Sequence, residues 1–332
     1  MKYRPFGKTG IRISELVFGA GAVGGILINP DDDTKRAAVR KALAGGVNWI
    51  DTAASYGNGK SEQSLGWLLK EVSSQPYLST KFRVDPALSE DISGQIERSF
   101  HESLTRLQRK SVDLLQLHNA VTLERGASRG SISVRDVLGS NGVVAGLRRL
   151  QDQRLTRFIG FTALGDTAAL HQLVESGAFK SAQVYYNLLN PSAGRHVPPG
   201  FSAHDYGNLI GKCAGQGVAV MNIRVLAAGV IAGDQRTGRE AGVSPGSDAE
   251  SDARRAALAR QAVGAGHGTM AQAAVRYALA NPNVSGVLVG FSTLEHIDEA
   301  LRAVEMGPLE ASVTGRINRL HDTDFGNIKP PA

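Results

Sequence analysis

Residues 49–57 read WIDTAASYG, a short apolar run that is followed at once by Asp51 and, a few residues later, by Tyr56. Two later strand-like runs end in the same way, the first at Lys81 and the second at His118. Each run therefore delivers a side chain that is suited to proton chemistry. Because the carboxyl ends of parallel strands lie on one face of a sheet or barrel, we expect these four side chains to share one site.

The chain around these runs alternates between apolar strand-like segments and amphipathic helical segments. The strand-like segments are apolar throughout, as is typical of parallel strands that are buried on both faces, and a helical pattern follows each. With no break in composition, this alternation predicts an α/β fold, a (β/α)8 TIM barrel that forms a single domain over residues 1–332. The eight predicted strands are 16–18, 47–50, 77–80, 112–117, 158–161, 181–186, 218–223 and 286–289.

The two ends of this predicted barrel differ in sequence. Residues 2–14 alternate around the turn Gly7–Gly10 and predict a β-hairpin that plugs the bottom of the barrel. Three long segments rich in Gly, Pro, Ser and Asn or Asp follow the fourth, sixth and seventh strands. They would emerge as loops at the C-terminal face, where barrel sites are built. These segments are 119–141, 187–205 and 226–252.

The segment 19–24 matches the pattern G-x-G-x-x-G and follows a predicted strand, which is typical of a Rossmann dinucleotide site. That site requires a helix to begin immediately, whereas here a further loop runs as far as Pro30. We therefore interpret Gly19, Ala20 and Gly21 as the first loop of the barrel mouth, where the backbone can approach a cofactor closely.

Composition narrows the classes of protein. The net charge of +6 is spread over helix-like stretches with no interleaved aromatic residues, so no nucleic-acid partner is expected. The single cysteine, Cys213, excludes an intrachain disulfide, is interpreted as a packing residue, and favours a reducing compartment. No apolar run has the length of a signal-peptide core or of a membrane span. We expect a cytoplasmic protein without a membrane partner.

The four strand-end residues fit the needs of carbonyl reduction, which takes a hydride from a cofactor and a proton from the protein. Tyrosine titrates near about pH 10, so a proton-donating Tyr56 needs a cation beside it that stabilises the phenolate. We expect Lys81 to supply that cation, Asp51 to orient Lys81, and His118 to hydrogen-bond the substrate oxygen. Taken singly, each has a structural explanation, as a turn cap, an aromatic residue at the mouth, a surface lysine or a loop histidine. Their coincidence favours a catalytic tetrad.

With this tetrad, with GVNWIDTA at 46–53 and with VLVGFST at 287–293, the chain resembles the aldo-keto reductase superfamily over nearly its whole length. The resemblance implies an NAD(P)(H)-dependent oxidoreductase that interconverts an alcohol and a carbonyl, namely an aldehyde, a ketone or a sugar hemiacetal and lactone. Tyr56 would be the proton donor or acceptor. The substrate would be a small molecule, in a pocket lined by Tyr56, Phe82, His118 and Asn119.

The same resemblance implies the cofactor contacts. Gln183 matches the family glutamine that contacts the nicotinamide carboxamide, and Thr162 stands where a serine usually serves the same group. Ile223 replaces the usual stacking aromatic residue. Arg224 is either a partner for the pyrophosphate or an arginine in solvent. The other implied contacts are Gly19, Ala20, Gly21, Asp51, Leu226, Gly290, Ser292, Thr293, His296 and Glu299.

The choice between NAD and NADP stays open, with a lean towards NAD. Members that prefer NADP often carry cations at the positions of Gly290 and His296, which this chain lacks. Ser292, Thr293 and the helix start that follows could still bind a phosphate. The segments near 219–233 and 290–293 are most similar to the branch of NAD-linked sugar and pyridoxal dehydrogenases, so both oxidation of a sugar carbon and reduction of a small aldehyde are open.

Two other classes of function are alternatives to the oxidoreductase. Some barrels of this family act as nucleotide-sensing binding subunits of membrane channels, and an intact tetrad is compatible with that role, although no segment precedes the predicted hairpin. A metal-dependent hydrolase would need His and carboxylate ligands on several strand ends, whereas His118 and Asp51 form the one such pair. No metal is therefore expected, and the oligomeric state is left open.

Overall fold

The computed structural model describes residues 1–233 and 248–328. Eight parallel strands close into a barrel, so the predicted (β/α)8 TIM barrel is confirmed. Around the barrel the order is β3, β4, β5, β6, β9, β10, β11 and β12. The strands of the described residues are β1 (Tyr3–Pro5), β2 (Arg12–Ser14), β3 (Leu16–Gly19), β4 (Trp49–Asp51), β5 (Tyr77–Phe82), β6 (Val112–Leu117), β7 (Val121–Thr122), β8 (Ile132–Ser133), β9 (Thr156–Thr162), β10 (Ser181–Tyr185), β11 (Ala219–Ile223) and β12 (Gly286–Gly290).

The helices lie outside the barrel, and most of them bury one face, whereas α9 is buried all round over Gln272–Leu279. In α3, for example, Ile96, Phe100 and Leu104 recur at helical spacing and are buried, and the side chain of Asp91 caps the start of the helix. The helices are α1 (Asp32–Ala44), α2 (Lys60–Leu68), α3 (Ile92–Leu107), α4 (Val134–Leu138), α5 (Val143–Asp152), α6 (Thr167–Glu175), α7 (Leu209–Gln216), α8 (Ala249–Val263), α9 (Met270–Ala280), α10 (Leu294–Met306) and α11 (Ala311–Asp322). Short 3-10 helices cover Pro86–Asp91, Ala227–Gly229 and Asp324–Gly326.

The predicted hairpin is present and closes the bottom of the barrel. Strands β1 and β2 pair antiparallel, and the ring of Phe6 lies with its centroid 4.8 Å from that of Trp49. The apolar side chains gathered here form what we call the bottom cluster, which consists of Phe6, Ile11, Ile13, Val17, Trp49, Leu114, Ala219 and Met221. Burying a side chain such as Phe6 contributes about 2–3 kcal/mol to folding.

The long segments contain more regular structure than the sequence suggested. The segment 119–141 holds the paired strands β7 and β8 and the short helix α4, which begins with a capping box between Ser133 and Asp136. The segment 226–252 ends inside α8, and its residues 234–247 lie outside the described part of the chain. The helix α8 has alanines at most of its apolar positions, so its helical period is weak in sequence.

In the described ranges, no helix is both long enough and apolar enough to cross a membrane.

Candidate active site

The four predicted tetrad residues meet at the mouth, the end of the barrel where the strands finish. Lys81 Nζ donates hydrogen bonds to a carboxylate oxygen of Asp51, to Thr52 O at 2.8 Å and to Tyr56 Oη at 3.1 Å. The Lys81 side chain is 0% exposed, so it is not a surface lysine. Burial disfavours its charge, but the interactions with Asp51 and Tyr56 together outweigh burial and raise the pKa of Lys81.

Asp51 is held by three further donors from three strands. Its Oδ1 atom accepts hydrogen bonds from Ser79 Oγ at 2.6 Å, Gln183 Nε2 at 2.7 Å and Gln116 Nε2 at 3.1 Å. All of these side chains point into the barrel and are buried. With Lys81 and Asp51 they form what we call the polar layer. Two of its members, Ser79 and Gln116, were not singled out from the sequence, although each lies two residues before a tetrad residue and so shares its face of the strand.

A hydrogen bond connects the polar layer to the bottom cluster. The indole nitrogen of Trp49 donates to Ser79 Oγ at 2.9 Å, and Ser79 in turn donates to Asp51. Trp49 and Asp51 are on the same inward face of β4. The carboxylate that pairs with Lys81 is therefore supported from below by two successive hydrogen bonds.

His118 lies beside Tyr56, with ring centroids 6.0 Å apart and the rings nearly perpendicular. Its backbone N–H donates to Phe82 O at 2.9 Å, which fixes its position next to β5. Burial, and then the charges of Lys81 and Arg83, hold the pKa of the His118 imidazole well below its usual 6.5. The ring is therefore neutral at pH 7 and can give a hydrogen bond without carrying a charge.

The two other predicted pocket residues have different surroundings. Phe82 is 1% exposed and packs in the core between barrel and helices, because it follows Lys81 in a strand whose side chains alternate. The structure therefore does not place Phe82 in the substrate pocket. Asn119 is buried, and its amide accepts from Val84 N at 2.9 Å and donates to Val84 O at 2.8 Å. Asn119 thereby joins the segments that follow β5 and β6 at the mouth.

The strand ends next to the tetrad offer a polar surface for a carboxamide. Thr162 and Gln183 are direct neighbours on β9 and β10, and Thr162 Oγ1 is buried without a hydrogen-bond partner among the described residues. A buried hydroxyl with no partner is costly unless a ligand or water satisfies it, so Thr162 Oγ1 is a candidate contact for a bound group. The amide nitrogen of Gln183 is engaged by Asp51.

A small cavity lies at the predicted adenine end, with a volume of about 60 Å³. Thr293 caps the helix α10 beside it by accepting a hydrogen bond from His296 N at 3.4 Å, and the partly buried Ser292 precedes this cap. Glu299 accepts a hydrogen bond from Thr269 Oγ1. Four of the predicted cofactor residues line this cavity, namely Leu226, Gly290, His296 and Glu299.

The first loop of the mouth touches the tetrad. Gly19 pairs with Asp51 in the barrel register, and Ala20 N donates to Asp51 O at 2.9 Å. A methyl group at Gly19 would lie 2.8 Å from Val289 O, and one at Gly21 would lie 3.7 Å from the Tyr56 ring. Glycine therefore allows the two backbones to approach at position 19.

The loop after β11 is strained. Arg224 has φ 58°, and Ala227 and Ala228 have φ 47° and 56°, in the left-handed region that non-glycine residues seldom adopt. The Arg224 guanidinium lies 5.7 Å from the centroid of the Tyr185 ring, which the sequence did not indicate. Ile223, the last residue of β11, is partly buried. Such strain is common where a loop is shaped to bind a ligand.

A larger groove than the cavity at the mouth lies at the opposite end of the barrel. It has a volume of about 600 Å³ and borders the hairpin. Arg4 in this groove pairs with Glu15 at 2.7 Å and also donates to three backbone carbonyl groups. We assign the active site to the mouth despite its smaller cavity, because the mouth brings an acid, a buried cation and a neutral imidazole together, whereas the described residues that line this groove include no histidine and no tyrosine.

A parallel barrel with this cluster at its mouth has the arrangement of an oxidoreductase of the aldo-keto reductase type. The profile of the Aldo/keto reductase family matches residues 15–322, and the chain belongs to this family. The chain is accordingly an oxidoreductase whose relatives act on carbonyl and alcohol groups. The superfamily suggested by the sequence is thereby confirmed.

Among curated relatives, the L-galactose dehydrogenase of Arabidopsis thaliana is 28% identical over 320 residues, which cover 92% of this chain and 88% of that protein. The L-glyceraldehyde 3-phosphate reductase of Escherichia coli (strain K12) is 25% identical over 330 residues, with the same coverage of 92% and 88%. The holo form of aldo-keto reductase AKR11C1 from Bacillus halodurans has the same fold, with a TM-score of 0.74 at 22% identity and coverage of 97% and 96%.

Proposed function

We propose that the enzyme interconverts a carbonyl and an alcohol with a nicotinamide cofactor, and that Tyr56 exchanges the proton. The observation that carries this proposal is the position of Lys81 Nζ, which is buried and hydrogen-bonded to both Asp51 and Tyr56 Oη. A buried ammonium next to a phenol stabilises the phenolate that remains after proton donation. Tyr56 itself is partly exposed at the mouth, so a substrate can reach it.

Each of the four tetrad residues has one task in this reaction. A bound nicotinamide would supply or accept the hydride. Tyr56 gives its proton to the developing alkoxide during reduction, and its phenolate takes a proton from the alcohol during oxidation. Asp51 holds Lys81 in place, while neutral His118 donates a hydrogen bond to the substrate oxygen.

The cofactor would lie across the mouth from the tetrad to the small cavity. In this proposal Thr162 Oγ1 and Gln183 contact the carboxamide, and Arg224 contacts the pyrophosphate. We propose a preference for NAD, because the residues that line the described cavity include the carboxylate of Glu299 but no lysine or arginine. A 2′-phosphate would meet a carboxylate without a compensating cation there.

We propose a class of substrate and a cellular location. The relatives' names include a neutral sugar and a phosphorylated aldehyde, so we propose a small carbonyl or alcohol as substrate, with a sugar dehydrogenase as one option. We also propose that residues 1–332 form one domain and that the protein is cytoplasmic, which is supported by its single, buried cysteine.

The variant Tyr56→Phe tests the proton donor. We expect kcat/KM for a small aldehyde to fall by about 10³-fold, since acid–base groups contribute about 10²–10⁴-fold, while calorimetry gives an unchanged Kd for NADH. The matched control is Tyr77→Phe, which removes a hydroxyl at the other end of the barrel. Full carbonyl reductase activity in Tyr56→Phe would disprove the assignment.

Calorimetric titration with NADH and NADPH, side by side, tests the cofactor preference. Tighter binding of NADH is the expected result. Tighter binding of NADPH would mean that Ser292, Thr293 or an arginine elsewhere binds the 2′-phosphate. Binding of neither nucleotide would contradict the proposed function.

A further inference from the structure

One charged residue of the mouth, Arg83, is not used by the reaction described above. Ser79 and Lys81 both point into the barrel towards Asp51, whereas Thr80 bonds to Glu62 of α2 and Phe82 packs outside. Side chains alternate along an extended strand. Arg83 follows directly after β5 and therefore continues the inward series one step further, above Lys81.

The backbone on both sides of Arg83 is fixed. Phe82 O accepts a hydrogen bond from His118 N at 2.9 Å, and both backbone groups of Val84 bond to the side chain of Asn119. These contacts join the ends of β5 and β6. They hold the Cα atom of Arg83 at a constant place relative to His118, so the guanidinium is carried on a rigid support rather than on a free loop.

The charge of Arg83 is not neutralised in the described ranges 1–233 and 248–328. Its side chain is exposed, and within those ranges it forms no hydrogen bond or ion pair. The carboxylate of Asp85 is engaged elsewhere, since its Oδ1 atom accepts from Ala87 N at 2.9 Å. The positive charge of Arg83 nevertheless reaches the active site, because it helps to lower the pKa of His118.

We propose that Arg83 binds an anionic group of the substrate, a phosphate or a carboxylate, while the substrate carbonyl meets Tyr56 and His118. The preferred substrates would be short aldehydes, ketones or alcohols that carry such a group a few atoms from the reacting carbon. A guanidinium matches the geometry of both anions through paired N–H donors. This inference rests on the proposed function of the same site.

Two matched substrate pairs test the proposal. Butanal and succinic semialdehyde share a four-carbon chain and differ by a carboxylate, and glyceraldehyde and glyceraldehyde 3-phosphate differ by a phosphate. In Arg83→Gln we expect kcat/KM for the anionic member to fall about 10–100-fold, mainly through KM, because the anion loses its charge-assisted hydrogen bonds. The neutral member should change less than about twofold. The pair with the larger loss identifies the anion.

Two further variants provide the controls. Arg83→Lys keeps the charge but not the paired donors and should recover part of the loss. Arg154→Gln removes the same charge from an exposed position just before β9, at the bottom of the barrel, and should leave all four substrates unaffected. Equal losses for the neutral and anionic members in Arg83→Gln, or a weaker Kd for NADH, would overturn the proposal.

A binding measurement separates this proposal from the proposed function. Glycerol 3-phosphate and glycerol are titrated into the wild-type enzyme and into Arg83→Gln, each saturated with NAD⁺. Glycerol 3-phosphate should bind the wild type at least about tenfold tighter than the variant. If turnover is absent but this difference remains, the anion site stands and the proposed reaction fails. If turnover is normal and the difference is absent, the anion site is wrong.

Discussion

The bottom cluster and the polar layer share the strands β4 and β6, yet they differ completely in chemistry. In β4 the inward side chain changes from Trp49 to Asp51 within two residues, and in β6 it changes from Leu114 to Gln116. Two residues of strand advance only about 6–7 Å. The interior of the barrel therefore changes from an apolar core to a charged site over two residues of the same strand. The strands continue as regular β-structure through this change.

The bottom cluster mainly stabilises the fold, whereas the polar layer mainly serves the chemistry at the mouth. The bottom cluster gains free energy from apolar burial. The polar layer takes Lys81 and Asp51 out of water, and a buried ion pair of this kind contributes little net stability relative to apolar residues of the same volume. A charged pair in that position is better explained by the chemistry at the mouth than by folding. Each of the following variants tests one side of this division.

The largest expected effect is that of Lys81→Met. The variant leaves the Asp51 carboxylate buried without its ammonium partner, so the free energy of unfolding should fall by about 3–5 kcal/mol. Carbonyl reduction should fall by about 10³-fold, because the phenolate of Tyr56 loses its cation. Urea unfolding and steady-state kinetics measure the two effects.

The double variant Lys81→Met with Asp51→Asn is the control for this prediction. It removes both charges and keeps a side-chain oxygen that can accept from Ser79, Gln116 and Gln183, so it should regain most of the lost stability while activity stays absent. A double variant as unstable as Lys81→Met would mean that the ion pair itself stabilises the fold, and the division between the two regions would fail.

The variant Phe6→Ala tests the other region. Removing a fully buried phenyl ring from the bottom cluster should lower the free energy of unfolding by about 3 kcal/mol. We expect kcat to stay within about twofold at temperatures where the protein remains folded. The exposed Leu123, changed to alanine, should alter stability by less than about 0.5 kcal/mol. A large loss of kcat in Phe6→Ala would show that the bottom cluster shapes the mouth.

A smaller effect is expected from Gln116→Leu, which removes one of the donors to Asp51. Because Gln116 Oε1 is buried without a partner among the described residues, an apolar replacement should change the free energy of unfolding by less than about 1 kcal/mol. The kcat should fall about tenfold at constant KM, as the hold of Asp51 on Lys81 loosens. A loss of stability with normal kcat would indicate a purely structural role.

The smallest expected effect is a pH dependence at the mouth. The pKa of His118 is well below 6.5 in the folded protein, so between these values the unfolded chain binds the extra proton. The contribution of the neutral His118 ring to the free energy of unfolding is fully present above pH 6.5, and it is lost as the pH falls towards and through the pKa of the folded state. In His118→Asn, the free energy of unfolding should fall less steeply between pH 7 and pH 5 than in the wild type. Equal slopes would contradict this, since His204 and His321 are common to both proteins.

The sequence is sufficient to predict the barrel and the meeting of Asp51, Tyr56, Lys81 and His118 at its mouth, because both predictions depend on local patterns. Apolar strands that each end in one functional side chain can be read from order alone. The direction of the Phe82 side chain cannot be predicted in this way. The predicted strand ends at Thr80, so it gives no alternation of inward and outward side chains beyond Lys81. The direction of Arg83 cannot be predicted for the same reason. The donors Ser79 and Gln116 were missed because their roles depend on contacts between strands that are far apart in the chain.

The hydrogen bond from Trp49 to Ser79 has an optical consequence. The chain has two tryptophans, and Trp67 lies in α2 on the outside of the barrel, beneath Arg36. With Trp67 changed to phenylalanine, all indole emission would come from Trp49, a fluorophore inside the barrel that is two hydrogen bonds from the Asp51 carboxylate. Its emission wavelength would respond to the electric field of the site and report changes in charge there without an added label.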